Sequence, residues 1–168
     1  KKGVFLGGRR VMMNRTVSET VTREMVAGGY FDSVNLWGIW QSILGKFKYY
    51  EESLRILGKI RGNKPFSLLG SNFSIYKADL LSVNGFDEEY ESRGGGEDTD
   101  IAFRLTVAGC KMASVRYRAL EFHLGHEIHE SKTESARRFE EKKCTIKNAT
   151  DSKKIKNSYT GQLLRRDE

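Results

Sequence analysis

The sequence predicts an α/β domain. Three observations predict it: strand-like apolar stretches near residues 3–13, 66–76 and 111–117, helical apolar spacing between them, and glycine breaks that separate the two kinds of element. With 168 residues, the chain can bury one core of its own but is too short for two independent domains.

Val4, Phe5 and Leu6, then Val11, Met12 and Met13, flank Gly7-Gly8 in the manner of a strand or hairpin arm. From Ser33 to Ile60, the residues Leu36, Ile39, Trp40, Ile43, Leu44 and Phe47 recur at three and four, as one face of a helix does. Gly38, Gly45 and Gly58 interrupt that run, so a broken helix or a mobile connection is expected. Pro65 precedes a β-prone run from Phe66 to Tyr76, which Gly70 divides into two strand pieces. A short helix fits Lys77–Val83 and closes at Asn84-Gly85, a pair that tolerates positive φ.

Next, the acidic stretch Asp87–Glu91 runs into Gly94-Gly95-Gly96, where the backbone can approach a ligand closely. Glu97-Asp98-Thr99-Asp100 opens a helix with Ile101, Leu105 and Ala108 inward and Gly109 at its end, which sets the carboxylates at a positive helix terminus. Lys111–Tyr117 alternates like a strand, with Met112 inward, and leads to Glu121–Glu127. From Ser131 the chain is charged and poor in large apolar residues; it is expected to be helical to about Lys147 and poorly ordered over its last twenty residues.

A net charge of +7 suits a nucleic acid, an anionic membrane face or a phosphate-bearing substrate, and much of it follows residue 131, in Arg137-Arg138, Lys142-Lys143, Lys153-Lys154 and Arg165-Arg166. A merely solvated basic tail is the preferred explanation of it. No run approaches the roughly 18 apolar residues needed to span a bilayer. Cys110 and Cys144 are too few and too far apart for a disulfide framework or a zinc knuckle, so reduced thiols in a cytoplasmic protein are expected. The chain lacks an initiator Met and starts as if inside a strand, which leads us to expect further sequence upstream.

Two clusters could carry chemistry. Adjacent carboxylates delivered by a glycine-flanked loop, Glu97 and Asp98, could act on a ligand; equally, Asp98 or Thr99 could simply cap the helix. His123, His126 and His129 are spaced by three but do not form the zinc-protease pattern, which needs histidine where Glu130 stands, and Gly125 argues for a loop. A histidine after a strand is more often structural than a ligand.

Taken in order, Leu69–Ile75, Asn84–Glu88, Gly95–Ile101 with Arg104-Leu105 and Gly109, and Phe122-His123 resemble the C-terminal part of inverting GT-A glycosyltransferases. The run is similar to the galactosyltransferase-type C-terminal domain and to family 2 bacterial enzymes of capsule and lipopolysaccharide glycan synthesis. The resemblance covers residues 66–126, with a looser match at Gly7-Gly8-Arg9. It implies an α/β fold that is the C-terminal portion of a GT-A mixed sheet flanked by helices, with residues 1–130 as the acceptor-side half, 131–168 as a basic tail, and the nucleotide-binding half absent.

For function, the resemblance implies metal-dependent, inverting transfer of a sugar from a nucleotide-sugar, of the UDP-sugar type, to a glycan or lipid-linked acceptor. It gives Asp98 the role of general base, Glu97, Gly95, Gly96 and Asn72 contact with the acceptor, and His123 the role of ligand to Mn²⁺ or Mg²⁺. His126 and His129 are left behind the metal ligand or at the surface. Gly94 stands where galactosyltransferases have tryptophan, so an aromatic platform for the acceptor would have to come from Tyr90, Trp37 or Trp40. The implied location is cytoplasmic, at the inner membrane surface, with peripheral contact through the tail. The rivals are a non-catalytic carbohydrate-binding or assembly module that keeps the acceptor face, and a basic nucleic-acid-binding domain suggested by charge alone and lacking any motif of that class.

Overall fold

A computed structural model describes residues 2–32, 35–50, 67–90, 96–127 and 132–155. The fold is mixed α/β, with two small three-stranded sheets and helices around them. The chain divides into two compact units: Lys1–Leu6, Ser67–Ala113 and His129–Glu168 make unit one, and Gly7–Phe66 with Ser114–Ile128 make unit two.

Unit one holds the sheet of β4 (Phe73–Ser74), β1 (Val4–Gly7) and β5 (Lys111–Ser114), in that order. Its helices are α4 (Lys77–Ser82), α5 (Glu97–Val107) and α6 (Lys132–Thr145), followed by a 3-10 turn at Asp151–Lys153. Phe5, Leu68, Val83, Ile101, Leu105 and Cys110 form its core, and Phe73, Ile75, Leu80, Phe86 and Met112 pack against them. Ile101 and Leu105 are the inward pair that the four-residue spacing predicts. Asn84 and Gly85 adopt φ of 63° and 71° and end α4 as their residue types allow. Gly109, at φ 91°, lets the Cys110 N–H reach back to the Leu105 carbonyl at 2.9 Å and close α5.

The strand piece expected before Gly70 is not one: Ser67–Leu69 carry no strand, and Leu69–Asn72 is a turn closed by the Asn72 N–H on the Leu69 carbonyl at 3.0 Å. The small residues Gly70 and Ser71 turn the chain there. On β1, Phe5 enters the core while Val4 and Leu6 line an open cleft of about 330 Å³ with Ser74, Ile75 and Tyr76, so both faces of that strand are apolar.

Unit two holds β3 (Phe47–Lys48), β2 (Arg9–Met13) and β6 (Leu120–His123). β2 runs antiparallel to β3, with Met13 opposite Phe47, and parallel to β6, with Val11 opposite Phe122 and Met12 opposite His123. The segment 3–13 is therefore not a hairpin arm but two strands, broken at Gly8, that enter different sheets. Three short helices follow β2. α1 (Arg15–Ser18), α2 (Arg23–Ala27) and α3 (Leu36–Ile43) are capped by the side chains of Asn14, Thr22 and Asn35.

Val11, Met13, Val17, Phe47 and Tyr50 make this unit's core, extended by Phe31, Trp37 and Phe122. Trp37 meets Phe47 edge-on with ring centroids 5.4 Å apart, and Phe31 lies 4.8 Å from Phe122. The helix expected over Ser33–Ile60 ends at Ile43. Gly45 takes φ 70°, and Phe47 is a buried strand residue rather than part of a helical face. Gly38 is the contact point of α3: a Cβ there would lie 2.1 Å from the Tyr50 hydroxyl. The strand predicted over Lys111–Tyr117 stops at Ser114, and Tyr117, at φ 67°, sits in a turn. The expected continuation of the helical run over 51–60, the start of the β run at Pro65-Phe66, and the tail beyond 155 lie outside the described residues.

Candidate functional site

The carboxylate cluster belongs to unit one and sits on the first turn of α5, where the free N–H groups and the helix dipole favour negative charge. Gly96 is the N-cap, at φ 100°, and a Cβ on it would lie 3.3 Å from both the Ser135 Cβ and the Tyr90 ring. Only glycine allows that turn and that closeness together. Glu97 and Asp98 follow, both half-buried.

Asp98 does not cap the helix that it opens. Its Oδ2 accepts the Gly70 N–H at 3.2 Å, across a sequence gap of 28, and its Oδ1 accepts the Thr99 N–H at 2.7 Å and the Thr99 hydroxyl at 3.2 Å. These donors fix the plane of the carboxylate. The turn that supplies Gly70 also carries Asn72, so Asn72, Gly70, Gly96, Glu97 and Asp98 are brought into one neighbourhood. A Cβ on Gly70 would stand 3.5 Å from the Asp98 Cβ and 3.7 Å from Glu97 Oε1. Gly95 lies outside the described residues.

Beneath this turn is a buried charge cluster. Asp100 and Arg104, one helical turn apart, are both fully buried and paired at 2.7 Å, and Arg104 Nη1 also donates to the Val83 carbonyl at 2.6 Å. Lys142 of α6 bonds to the buried Asp87 and lies 3.3 Å from Asp100 Oδ1, with its ammonium 4.5 Å from the centre of the Tyr90 ring. Burial, reinforced by the charges of Asp100 and Asp87, pushes the Tyr90 phenol well above its usual range, so it stays neutral. Asp100, the second acid of Asp98-Thr99-Asp100, thus braces the helix end and does not face a ligand. Sequence reasoning missed this cluster, although the i, i+4 spacing of Asp100 and Arg104 was a visible signal.

The histidines belong to unit two. His123 is the last residue of β6, and His126 follows in an extended loop. His123 Nδ1 lies 3.4 Å from Glu121 Oε1, and His126 Nδ1 lies 2.8 Å from the Glu127 carbonyl. Both Nδ1 atoms thus face acceptor oxygens. The two Nε2 atoms face each other at 3.2 Å. At that distance the Nε2–H of one ring can donate to the Nε2 of the other.

The segment between the two histidines is tightly seated: the Gly125 N–H donates to Ser18 Oγ at 2.7 Å, and a Cβ at 125 would lie 2.6 Å from the Arg15 nitrogen. His126, which sequence reading left behind the metal ligand or at the surface, thus faces His123 directly. No group of three or more His, Cys, Asp or Glu placed to hold a metal ion occurs among the described residues, and His129 lies outside them.

A protein family described as the N-terminal domain of galactosyltransferase matches residues 59–129, less than half of the chain. The matched segment contains Gly70, Asn72, Glu97, Asp98, His123 and His126, and it supports a glycosyltransferase-like domain. The description places that domain at the N-terminus of galactosyltransferase, whereas the sequence resemblance was read as C-terminal; the residues concerned are the same. α6, with Lys142, lies beyond the match. No curated protein and no solved structure matches the chain.

Proposed function

We propose that this chain is the acceptor-side half of a metal-dependent GT-A glycosyltransferase of the family 2 and galactosyltransferase type. In this reading a UDP-sugar is the donor, a glycan or lipid-linked acceptor of bacterial capsule or lipopolysaccharide synthesis receives the sugar, and the anomeric centre inverts. The observation that carries the proposal is the Asp98 carboxylate, oriented by Gly70 and Thr99 at the N-terminus of α5 with Glu97 beside it.

Asp98 takes the proton of the acceptor hydroxyl as that oxygen attacks the anomeric carbon and the bond to the diphosphate breaks on the opposite face. Glu97, Asn72, Gly95 and Gly96 hold the acceptor's other hydroxyls. Glycine at 70 keeps a side chain away from the two acids, and glycine at 96 permits the turn against Tyr90 and Ser135 that presents them. Mn²⁺ or Mg²⁺, when bound, neutralises charge on the leaving diphosphate. His123 and His126 would hold such an ion through their Nε2 atoms, with Glu121 beside the first ring. A nucleotide-binding half outside residues 1–168 completes this reading, and the apolar cleft beside β1 offers it a docking face. The site of action is cytoplasmic, beside the inner membrane surface.

Several cations of the described tail pair with carboxylates at the surface, which lowers the positive field they offer a nucleic acid. Arg137 pairs with Glu134 and Glu141, Arg138 with Glu89, Lys143 with Glu140, and Lys154 with Asp151. The same pairing weakens the case for a tail held to lipid.

The test is Asp98→Asn in the full-length enzyme, which should lower transfer by about 10²-fold or more while leaving the unfolding midpoint in place. Wild-type turnover in that variant rejects the general base. Glycan binding without any transfer by the wild type identifies the non-catalytic module instead. His126→Ala and His123→Ala should each raise the Mn²⁺ concentration needed for half-maximal activity by about 10- to 100-fold.

A further inference from the structure

One face of α6 lies along the turn that carries the two acids. Ser135, Arg138, Phe139 and Lys142 are spaced i, i+3, i+4 and i+7, so they share a side of the helix. Each meets a different part of unit one. The Ser135 Cβ stands 3.3 Å from where a Cβ on Gly96 would lie, Arg138 pairs with Glu89 at 2.8 Å, and the Phe139 ring meets Phe103 of α5 edge-on with centroids 5.7 Å apart. Lys142 bonds to Asp87, lies 3.3 Å from Asp100 Oδ1 and covers the Tyr90 ring, which itself comes within 3.3 Å of the same Gly96 position. α6 thus reaches the N-cap of α5 twice, directly through Ser135 and by way of Tyr90 from Lys142.

This face differs from a solvated basic surface. Lys142 is largely buried and its two carboxylates almost wholly so, and an ammonium removed from water offsets its desolvation only in a narrow range of geometry. It ties Asp87, which precedes the glycines, to Asp100 on the first turn of α5. In that turn the Asp100 N–H donates to the Gly96 carbonyl at 2.9 Å, and the Gly70 N–H donates to Asp98 at 3.2 Å. A shift of the turn therefore moves the Asp98 carboxylate with it.

We propose that Lys142 is a positioning residue for Asp98, so that the site extends past the family match into α6. A displacement of about 1 Å at a reacting group costs about 10²-fold in rate, which lets a brace outside the site govern turnover. The proposal rests on the reading of Asp98 as the base and adds the element that sets its place.

The experiment combines Asp87→Asn with Lys142→Met in the full-length enzyme, because Lys142→Met alone leaves Asp87 buried without its cation and can unfold the chain. The double variant keeps the balanced pair of Asp100 and Arg104, and its near-ultraviolet circular dichroism should match wild type. Amide exchange followed by NMR without substrate should be at least about tenfold faster at Gly70 and Asp100. In transfer assays kcat should fall by about 10- to 100-fold with the donor KM unchanged. Wild-type exchange at both amides overturns the proposal, and so does faster exchange with undiminished kcat, since Asp98 would then work without the brace. Loss of the folded spectrum in the double variant overturns it too, because Lys142 would then support the fold as a whole. Failure of the functional reading shows separately, as wild-type turnover by Asp98→Asn, and leaves the exchange result to decide the role of Lys142.

Discussion

In unit one the fully buried side chains include Asp100 and Arg104 beside Ile101 and Leu105, whereas in unit two the buried set is Val11, Met13, Val17, Phe47 and Tyr50 and the large apolar side chains of α3 lie in solvent. The two units put their polar and apolar groups to opposite uses. A buried ion pair is weak evidence for stability, because desolvation offsets most of its attraction. What it supplies here is placement: Asp100, Arg104, Lys142 and Asp87 leave the first turn of α5 few alternative positions. In unit two α3 is held by uncharged contacts instead, Gly38 on Tyr50 and the Asn35 N–H on the Tyr50 hydroxyl at 3.3 Å, while its apolar ridge stays exposed.

The largest expected effect probes the internal charges. Arg104→Met, which leaves Asp100 buried without its guanidinium, should cost about 3–5 kcal/mol in urea unfolding. Asp100→Asn combined with Arg104→Met should recover most of that loss. A cost within about 0.5 kcal/mol for the single change would mean that the cluster is no constraint, and the contrast between the units would fail. Next comes Gly38→Ala in unit two, where Tyr50 must move to admit the methyl group; a loss of about 1–3 kcal/mol is expected.

A pH comparison sharpens the same contrast. Burial, helped by the charge of Asp79, raises the Cys110 thiol above its ordinary range, while Cys144 is exposed. The thiolate is the disfavoured form, so this contribution to stability is complete below the unfolded thiol's range, near about 8.5, and declines as pH rises through the folded value. Near that pH a thiol reagent should label Cys144 promptly and Cys110 slowly, and equal rates would contradict the burial. The smallest effect is Ile43→Ser, expected to shift unfolding by no more than about 0.5 kcal/mol, because its side chain is mostly exposed.

Much of unit one is legible in sequence because local and tertiary signals agree there. The Asn84-Gly85 stop, the Gly96 entry to α5, the inward Ile101 and Leu105, and the Gly109 exit all appear where residue type requires them. The gathering of Glu97, Asp98, Gly96 and the Asn72 turn follows from the motif run, but the Gly70-to-Asp98 hydrogen bond that joins them spans 28 residues and has no local signature.

Unit two resists such reading for two reasons. The period of α3 identifies an apolar stripe without saying which way it faces, so Phe47 was counted with it when it belongs to β3. α1 and α2 are too short for periodicity to register, although Asn14 and Thr22 were visible caps. The nearness of His126 to His123 depends on an extended loop after β6, whose shape comes from its seat on Ser18 and Arg15 rather than from any spacing rule.

That seat governs how the imidazoles can behave over time. With Gly125 wedged against the backbone of residues 13–15, the stretch joining the two rings has no slack, and their separation is set when the chain folds. Under the proposed metal-binding reading, the two rings would need no rearrangement of the peptide to receive a cation. One methyl group added at position 125 would convert that rigid gauge into a sprung one.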